Sequence, residues 1–372
     1  MEIPPKVWVL LGPKAGGNGQ LMSLANALGW PYETKQLVFN PLNRFPNLLL
    51  SAFLFSLNRR NSSPLSAPWP DLVIAASRRS VPVARWIKKQ SGGRTRLVHL
   101  IHTQAPFDLF DLIITTPQYC LPSRQNVLQN VAALNRIAPE RLTAAASQWE
   151  ARLADLSRPC TALLVGGHSS TYQLDPATAA DLGRQASAHV RTKGGSLLVS
   201  TSPRTPAPAA EALFAAIDCP AYRYRWRPND AENPYLAYLA LADSFIVTVD
   251  SASQVVEACL MGKPVSVFEW PSHLPLWSKI KAAPRRWLEL QRNQTNGRSR
   301  PERQNGLAQL YDRLVYCGFM RPTRDFEASL QALEKRGLIT RFGGVCPSIP
   351  YQPLDDMERA VTRIRQLFAD GS

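Results

Sequence analysis

Residues 247–270 read VTVDSASQVVEACLMGKPVSVFEW and predict a strand, a helix and a second strand in immediate succession. The first apolar run stops at Asp250 and Ser251, residue types that favour the beginning of a helix. Gly262 ends the helical segment, and a lysine and a proline precede the next run of β-branched residues. Because both strands are apolar without alternation, they suit a parallel sheet that is covered on both faces.

The same alternation of apolar runs and helix-like segments continues on both sides of this stretch. Further apolar runs occupy residues 7–12, 71–77, 96–102, 111–116, 160–167 and 194–202. Strand-then-helix repetition predicts an α/β architecture, and the pattern restarts after a helical connector. We predict two Rossmann-like, doubly wound domains, residues 1–157 and 158–345, which face a ligand-binding cleft. A C-terminal helix in 346–372 is expected to return toward the first domain.

The composition predicts a folded protein with sizeable cores. Of the 372 residues, 45% are hydrophobic and 19% are charged, which excludes a disordered or fibrous chain. No stretch reaches the roughly 18 apolar residues of a membrane-spanning helix. The first residues, MEIPPKVWVLLGPK, lack the basic region and the cleavage site of a signal peptide, so we expect a cytoplasmic location.

Positive charge is concentrated in the first quarter of the chain. The net charge is +15, and residues 1–100 contain 13 basic and 3 acidic residues. Such a field attracts phosphate-bearing partners, among them nucleotide-linked substrates and anionic lipids. Nucleic acid is not expected as a partner, because the sequence has no recognition helix, zinc module or aromatic RNA-binding motif. The six cysteines lack zinc-ligand spacing, so neither a metal nor another cofactor is predicted.

Residues 45–60, FPNLLLSAFLFSLNRR, form the most apolar stretch of the chain. The stretch is too short to span a bilayer, but it suits a membrane interface with Arg59 and Arg60 near anionic headgroups. A helix buried in the first domain explains the same pattern. The two alternatives remain open, and the first would place the protein peripherally on the cytoplasmic face of a membrane.

The segment that follows the strand at 244–251 carries the most specific signal for a binding site. Ser251 and Ser253 lie where a helix N-cap belongs, and their hydroxyls together with the first N–H groups of the helix would form an anion site. Glu257 lies one turn beyond Ser253 on the same helix face, where it would accept hydrogen bonds from a ribose. The alternative is that the serines are ordinary caps and that Glu257 is a solvent-exposed residue.

Two other segments of the second domain extend this candidate site. The segment STSPRTP (200–206) places Arg204 after a strand, where its guanidinium suits a bidentate contact with a diphosphate. A surface salt bridge is the alternative for this arginine. Asn233 and Tyr235 begin a helix beside the serine segment, where they would stack on a base or hydrogen-bond to it.

The first domain offers weaker candidates. A glycine-rich loop that contains Gly16, Gly17 and Asn18 follows the first strand and would let the backbone approach a phosphate or sugar closely. A tight strand-to-helix turn explains this loop equally well. His102 follows a strand and Asp108 lies in the next turn, and a histidine there could deprotonate an acceptor hydroxyl. The alternative is a structural histidine.

The chain resembles the ELM1 family of mitochondrial fission proteins, most of whose members are bacterial. The resemblance rests on the segments VWVLLGPKAGGNGQ, SRRSVPVARWIKK, FDLIITTPQ, STSPRTP and VTVDSASQVVEA. It implies a GT-B-like fold, in which a nucleotide-sugar donor lies between two domains and no metal is required.

The resemblance also implies a donor site and an acceptor side. The implied donor positions are Arg204, Ser251, Ser253 and Glu257, and the implied acceptor-side loop contains Gly16 and Gly17. One departure concerns the proline that follows the FDL strand. A His-Asp pair often follows this proline in the family, whereas Gln118 and Tyr119 follow Pro117 here. Either another residue supplies the base, or the activity is lost.

Three functions agree with these observations. The first is an inverting, metal-independent glycosyltransferase that uses a nucleotide sugar and a membrane-associated or envelope-glycan acceptor. The second is a sugar-nucleotide epimerase, although that chemistry needs several carboxylates and histidines, of which the first domain has few. The third is a non-catalytic scaffold of the same shape that binds a membrane or takes part in division.

Overall fold

The chain folds into two compact units, called unit 1 and unit 2. The computed structural model describes residues 4–13, 15–135, 137–169, 172–270, 306–317, 319–320, 325–344 and 352–369. Unit 1 consists of the described residues of Met1–Leu134, Ile280–Ser329 and Leu354–Ser372. Unit 2 consists of those of Asn135–Lys279 and Leu330–Pro353.

Strands and helices alternate through both units. The strands are β1 (Val7–Leu11), β2 (Tyr32–Gln36), β3 (Leu72–Ala76), β4 (Arg96–Leu100), β5 (Leu112–Thr115), β6 (Val127–Gln129), β7 (Cys160–Leu164), β8 (Ser196–Ser200), β9 (Ala221–Tyr224), β10 (Ser244–Thr248), β11 (Val265–Phe268) and β12 (Thr340–Arg341). The described helices are α1 (Ala15–Leu28), α2 (Asn47–Leu50), α3 (Val81–Gln90), α4 (Pro139–Leu153), α5 (Pro176–Arg191), α6 (Ala207–Ala216), α7 (Tyr235–Leu241), α8 (Ala252–Cys259), α9 (Gly306–Tyr316), α10 (Phe326–Lys335) and α11 (Asp356–Ala369). None of these helices is long and apolar enough to cross a membrane.

Each unit contains one six-stranded parallel sheet. The strand order is β2-β1-β3-β4-β5-β6 in unit 1 and β12-β11-β10-β7-β8-β9 in unit 2. In both sheets the order reverses beside the first strand of the unit, which is the arrangement of a doubly wound fold. The predicted fold class, two Rossmann-like α/β domains, is confirmed.

The central strands of unit 1 have apolar cores on both faces. Val7 and Val9 of β1 pack in one cluster with α1 and α11, whereas Trp8 and Leu10 pack in a second cluster with α3. Successive side chains of a strand point to opposite faces, so both sets must be apolar when both faces are covered. This requirement explains why the strands read as continuous apolar runs.

The division into units differs from the predicted ranges 1–157 and 158–345. Helix α4 belongs to unit 2, because buried Trp149 packs edge-to-face on Tyr222 at a centroid distance of 5.6 Å. Helix α9 belongs to unit 1, where Tyr316 packs on Phe107 with centroids 5.4 Å apart. Contacts between residues far apart in sequence therefore decide the assignment of both helices.

The C-terminal helix α11 is part of unit 1. The buried Asp356 at its first residue accepts hydrogen bonds from the N–H groups of Val131, at 2.9 Å, and Ala132, at 2.8 Å. Ala360 and Ile364 are fully buried in the cluster that also contains residues of α1. These contacts hold the end of the chain against the segment that follows β6.

Residues 45–60 were predicted to form either a buried helix or a membrane-interface segment, and the structure does not contain the buried helix. Only Asn47–Leu50 is helical, and the remaining residues form turns and a bridge between Phe39 and Leu57. Several of the large apolar side chains in this stretch are exposed, because the turns direct them away from the core of unit 1.

Candidate functional site

The polar residues of unit 2 converge where three neighbouring strands end. The registers of β10 with β7 and of β7 with β8 align the carboxyl ends of these strands at one edge of the sheet. The loops that follow them carry Gly166 and Gly167, Ser202 and Arg204, and Asp250 and Ser251. Ligands of open α/β sheets bind outside this edge, so it is the candidate site of unit 2.

Asp250 is the centre of a hydrogen-bond network at this edge. Its side chain is 0% exposed. One carboxylate oxygen accepts hydrogen bonds from the Gly167 N–H, at 2.8 Å, and from Arg204 Nη1, at 2.6 Å. The other oxygen accepts the hydroxyl of Thr248 at 2.8 Å. A buried charge needs such partners, and these partners fix the loops after β7 and β8 to the end of β10.

Two glycines give Asp250 and Arg204 the space that they occupy. A Cβ on Gly166 would lie 2.2 Å from a carboxylate oxygen of Asp250. A Cβ on Gly167 would lie 2.1 Å from the Arg204 carbonyl oxygen, and the φ of Gly167 is +152°. Side chains at these positions are incompatible with the network, because the neighbouring atoms are backbone or fully buried.

Arg204 is held in place but remains partly accessible. Besides its ion pair with Asp250, its guanidinium donates to the His168 carbonyl oxygen at 3.1 Å and to Ser251 Oγ at 3.2 Å. The Arg204 side chain is 39% exposed. A guanidinium has five N–H donors, so the three named acceptors leave donors for an anion. The predicted site residues Arg204 and Ser251 are thus in contact.

Helix α8 begins directly beside this guanidinium. Ser251 occupies the N-cap position, as predicted, but its side chain makes no capping hydrogen bond to the first turn. Ser253 is the second residue of α8 and is exposed. An uncapped first turn directs backbone N–H groups and the positive end of the helix dipole outward. The edge therefore combines an arginine and a helix N-terminus, two groups that bind phosphate.

Glu257 lies one turn further along α8 and pairs with Tyr235, the first residue of α7. The Tyr235 hydroxyl donates to Glu257 Oε2 at 2.5 Å. Burial raises the pKa of Glu257 above its ordinary value, although the hydrogen bond from Tyr235 acts in the opposite direction. Burial, reinforced by the negative charge of Glu257, raises the pKa of Tyr235 well above its ordinary value. Glu257 is half-buried rather than solvent-exposed, so its environment is unlike that of a surface glutamate.

Asn233 stands at the start of α7 and has a local structural partner. Its side-chain oxygen accepts a hydrogen bond from the Tyr235 backbone N–H at 3.0 Å. This contact from residue i+2 to the side chain of residue i is an Asx turn, and it lies directly before α7, whose N-cap is Pro234. The predicted residues Asn233, Tyr235 and Glu257 thus form one connected group.

The glycine-rich segment of unit 1 is helical. Helix α1 begins at Ala15, so Gly16, Gly17 and Asn18 lie in its first turn instead of in a loop that ends near residue 19. The Asn18 side chain accepts from the Gly12 N–H at 3.0 Å and donates to the Gly12 carbonyl oxygen at 2.8 Å. The sequence suggested a turn built by the glycines at this point. Instead, the two hydrogen bonds of Asn18 hold the end of β1 against the first turn of α1.

His102 and Asp108 occupy different environments in unit 1. His102 is 4% exposed, and its Nδ1 accepts a hydrogen bond from the Gln104 N–H at 2.8 Å. Asp108 is exposed in the turn Phe107–Leu109. The Nδ1 lone pair of His102 is engaged in a turn, which favours the structural alternative over a role as a base.

Several residues of the site were missed as site residues from the sequence. Asp250 was predicted only to end a strand. The signal that could have found it is its position after an apolar strand, as for Gly167 and Arg204, because the carboxyl ends of parallel strands meet at one edge of a sheet. Thr201 accepts the Trp226 backbone N–H at 2.9 Å and so brings an aromatic residue to the same edge.

Among the residues that the structure describes, no group of three His, Cys, Asp or Glu side chains could hold a metal ion.

Solved structures with a similar fold were found across nearly the whole chain. MurG from Acinetobacter baumannii is 14% identical with a TM-score of 0.41, and the match covers 97% of this chain and 100% of that one. UDP-GlcNAc 2-epimerase from Methanocaldococcus jannaschii is 11% identical with a TM-score of 0.46, and the match covers 98% and 99%.

Two sequence relatives are more similar. The mitochondrial fission protein ELM1 of Arabidopsis thaliana is 28% identical over 223 residues, 53% of this chain and 51% of that protein. The match therefore spans about half the length of this relative. The uncharacterized protein RP120 of Rickettsia prowazekii (strain Madrid E) is 26% identical over 307 residues, 74% of this chain and 86% of that protein. The family described as mitochondrial fission ELM1 matches residues 15–291, most of the chain, and the chain belongs to this family.

Proposed function

We propose that this protein is a GT-B-type glycosyltransferase that uses a nucleotide sugar without a metal ion and transfers the sugar to a membrane-associated or envelope-glycan acceptor. The observation that carries the proposal is the position of Arg204, which Asp250 and Ser251 hold beside the uncapped N-terminus of α8. A diphosphate at this position would meet a guanidinium and backbone N–H groups together.

We propose a reaction without a metal ion because of the same arrangement of Arg204 and the N-terminus of α8. A leaving nucleoside diphosphate carries negative charge that a transferase must stabilise, by a cation or by preorganised donors. Arg204 and the first turn of α8 provide such donors, and the buried Asp250 fixes the arginine before any ligand arrives. Little reorganisation is then needed when the charge develops.

The proposed nucleoside position lies further along α8. Glu257 lies in α8, about one turn beyond Ser253, and Tyr235 reaches it from the start of α7. A carboxylate there would accept hydrogen bonds from ribose hydroxyls while the phosphates stay at the helix end. Asn233 and Tyr235 remain the proposed contacts of the base, and Gly16, Gly17 and Asn18 the proposed acceptor-side segment.

A thermal-shift panel with UDP-, GDP-, ADP- and CMP-linked sugars tests the proposal. Ligand at about 100 times its Kd adds about 2.7 kcal/mol of stability, which corresponds to several degrees. We expect one nucleotide to raise the melting temperature of the wild type, and Arg204→Gln/Ser251→Ala to abolish this increase. Arg184→Gln is the matched control, because it removes an exposed arginine on α5 of the same unit. No increase with any nucleotide, or an equal increase in the double variant, would contradict the proposal.

A non-catalytic scaffold is the second candidate function. The observation that favours it is the environment of His102, which is buried and engaged at Nδ1. Nucleotide binding without transfer to any acceptor would support this candidate. Conversion of a nucleotide sugar without an acceptor would instead indicate the third candidate, an epimerase.

A further inference from the structure

Unit 1 carries a concentrated set of exposed apolar side chains. Nine large hydrophobic residues are exposed in the described part of the chain, and six of them lie in residues 42–55, called the apolar loop. These six residues are Leu42, Phe45, Leu48, Leu49, Phe53 and Phe55, and their exposed fractions range from 44% to 69%. Single exposed apolar residues are normal, but a contiguous group marks an interaction surface.

The apolar loop is closed at its base. Phe39 and Leu57 form an antiparallel bridge, with hydrogen bonds from the Asn40 N–H to the Ser56 carbonyl at 3.0 Å and from the Asn58 N–H to the Val38 carbonyl at 2.8 Å. The Asn40 side chain adds a bond to the Phe55 carbonyl at 2.7 Å. The exposure of the six side chains is therefore a feature of an ordered loop.

The loop is also anchored beside the carboxyl edge of the sheet. The buried Asn47 donates from Nδ2 to the carbonyl oxygens of Arg78 and Thr103, both at 3.0 Å. Arg78 follows β3 and Thr103 follows β4. Leu50 and Leu57 are buried beneath the loop and Leu54 packs against the core, whereas the six side chains named above remain exposed. The loop thus presents one apolar face to the core and a second one to the exterior.

Basic residues accompany the exposed face. Residues 34–107 contain eleven basic residues and one acidic residue. Lys89 Nζ lies 5.8 Å from the ring centroid of Phe53, and the Phe53 and Phe55 rings stack with centroids 5.1 Å apart. Arg44, Arg59 and Arg60 are exposed within or just after the loop. A partner that covers the apolar face would therefore meet positive charge at its rim.

We propose that the apolar loop is the surface by which this protein docks on an anionic phospholipid bilayer. Leucine and phenylalanine side chains would enter the interface, and the arginines and lysine would contact headgroups. A second copy of the chain fits less well, because two such loops face to face would bring their basic rims together. The proposal is independent of nucleotide binding, which concerns unit 2.

Docking would place the carboxyl edge of the unit 1 sheet close to the membrane. The anchors of Asn47 follow β3 and β4 at this edge, and the first turn of α1 follows β1 at the same edge. An acceptor with a lipid anchor would then reach this edge without leaving the bilayer. This extension rests on the proposed glycosyltransferase function, whereas the docking itself does not.

Vesicle sedimentation with the full chain tests the docking. The probes are vesicles of phosphatidylcholine alone and vesicles of phosphatidylcholine mixed with phosphatidylglycerol, each at low and high salt. We expect binding to the mixed vesicles, weaker binding at high salt, and little binding to phosphatidylcholine alone, because each basic residue near an anionic surface contributes about fivefold to affinity.

Two variants separate the apolar and the charged contributions. Leu49→Ser/Phe55→Ser should reduce the partition coefficient at least about tenfold, because two large side chains no longer enter the interface. Phe319→Ser is its matched control, because Phe319 is 73% exposed in the same unit but outside the loop. Arg59→Gln/Arg60→Gln should weaken binding to the mixed vesicles and reduce its salt dependence, whereas Arg184→Gln/Arg191→Gln should not.

The folded state and the oligomeric state are measured in parallel. Since the substituted side chains are exposed, the variants should keep the melting temperature of the wild type. Equal binding by wild type and Leu49→Ser/Phe55→Ser would overturn the proposal, and so would equal binding to both kinds of vesicle. A wild-type dimer that this variant abolishes, without vesicle binding by either protein, would identify a second copy as the occupant and would also overturn it.

Discussion

The carboxylate of Asp250 connects loops that are distant in the sequence of unit 2. It receives the Gly167 N–H and the Arg204 guanidinium on one oxygen and the Thr248 hydroxyl on the other. Asp250 is itself inaccessible, so it does not touch a ligand. We infer that it acts as a positioning residue, since its ion pair fixes the orientation of Arg204 and offsets part of the arginine charge.

Asp250→Asn tests this positioning role. The amide keeps the size of the side chain but removes the charge, and its NH₂ group offers a donor where donors already converge. We expect a loss of about 2–3 kcal/mol in the free energy of unfolding and a smaller nucleotide-induced shift in melting temperature. Asp181→Asn, which alters an exposed ion pair on α5, should change stability by less than about 1 kcal/mol. Wild-type stability and an unchanged shift in Asp250→Asn would exclude the role.

His99 makes the stability of unit 1 depend on pH. Burial lowers its pKa from 6.5 to about 4, and Nε2 lies 3.2 Å from the Ser77 carbonyl oxygen. Between these two values the unfolded chain binds a proton that the folded chain does not. The free energy of unfolding should therefore fall as the pH decreases from 6.5 to 4, by about 3 kcal/mol at most.

His99→Gln should remove this component, because glutamine does not titrate. The free energy of unfolding is measured by denaturant titration at several pH values for both proteins. All other titratable groups are the same in the wild type and in His99→Gln. The difference between their curves of unfolding free energy against pH therefore isolates the contribution of His99. Curves that run parallel between pH 6.5 and pH 4 would show that His99 does not contribute.

The sequence predicted the central elements well and the edge elements poorly. The apolar runs at 71–77, 160–167 and 194–202 became β3, β7 and β8, because a strand with both faces buried has a continuous apolar pattern. The edge strand β2 reads YETKQ and is mostly exposed, and β12 has two residues. Edge strands need neither apolar faces nor great length, so their patterns do not differ from those of loops.

The candidate site was predicted in part for a similar reason. Arg204 and Ser251 follow recognisable strands, and parallel strands that are neighbours bring their ends together. The contact between Tyr235 and Glu257 joins two helices, and the sequence gives no periodicity for such a pair. The stretch 45–60 was ambiguous because a buried helix and an exposed apolar loop have the same composition.

The loop after β7 requires glycine at residue 166. Gly166→Ala would place a methyl group 2.2 Å from Asp250 Oδ2, so the carboxylate and the paired Arg204 must move. We expect both lower stability and weaker nucleotide binding. Gly195→Ala is the matched control, because its Cβ would lie 2.0 Å from the Pro159 carbonyl oxygen at the opposite end of β8. This control should lose stability but keep the nucleotide Kd, and equal Kd values for both variants would contradict the account.

The chain passes between the two units more than once: it leaves unit 1 for unit 2, contributes helix α9 to unit 1, returns to unit 2 and ends in unit 1. The sequence predicted a returning C-terminal helix, but it did not locate the contact that holds it. Asp356 supplies that contact through the backbone N–H groups of Val131 and Ala132, more than 220 residues away. This carboxylate thus joins the beginning of the last described helix to the segment that follows β6, in addition to the apolar packing of Ala360 and Ile364.

Asp356→Ala should detach the beginning of α11. The loss of two hydrogen bonds to a buried charged group should lower the free energy of unfolding by about 2–4 kcal/mol. Hydrogen exchange should increase in peptides that contain Val131 and in peptides of α11. Glu358→Ala, an exposed position on the same helix, is the control. Unchanged exchange around Val131 in Asp356→Ala would contradict this contact.

We propose that a nucleotide sugar binds at the carboxyl edge of the unit 2 sheet, against Arg204 and the N-terminus of α8. Hydrogen exchange measured by mass spectrometry, with and without each of the four nucleotide sugars, tests this claim most directly. We expect one of them to slow exchange at residues 166–169, 202–205 and 251–257, and Arg204→Gln/Ser251→Ala to abolish the effect. Unchanged exchange at these segments with all four nucleotide sugars, or slower exchange only elsewhere, would contradict it.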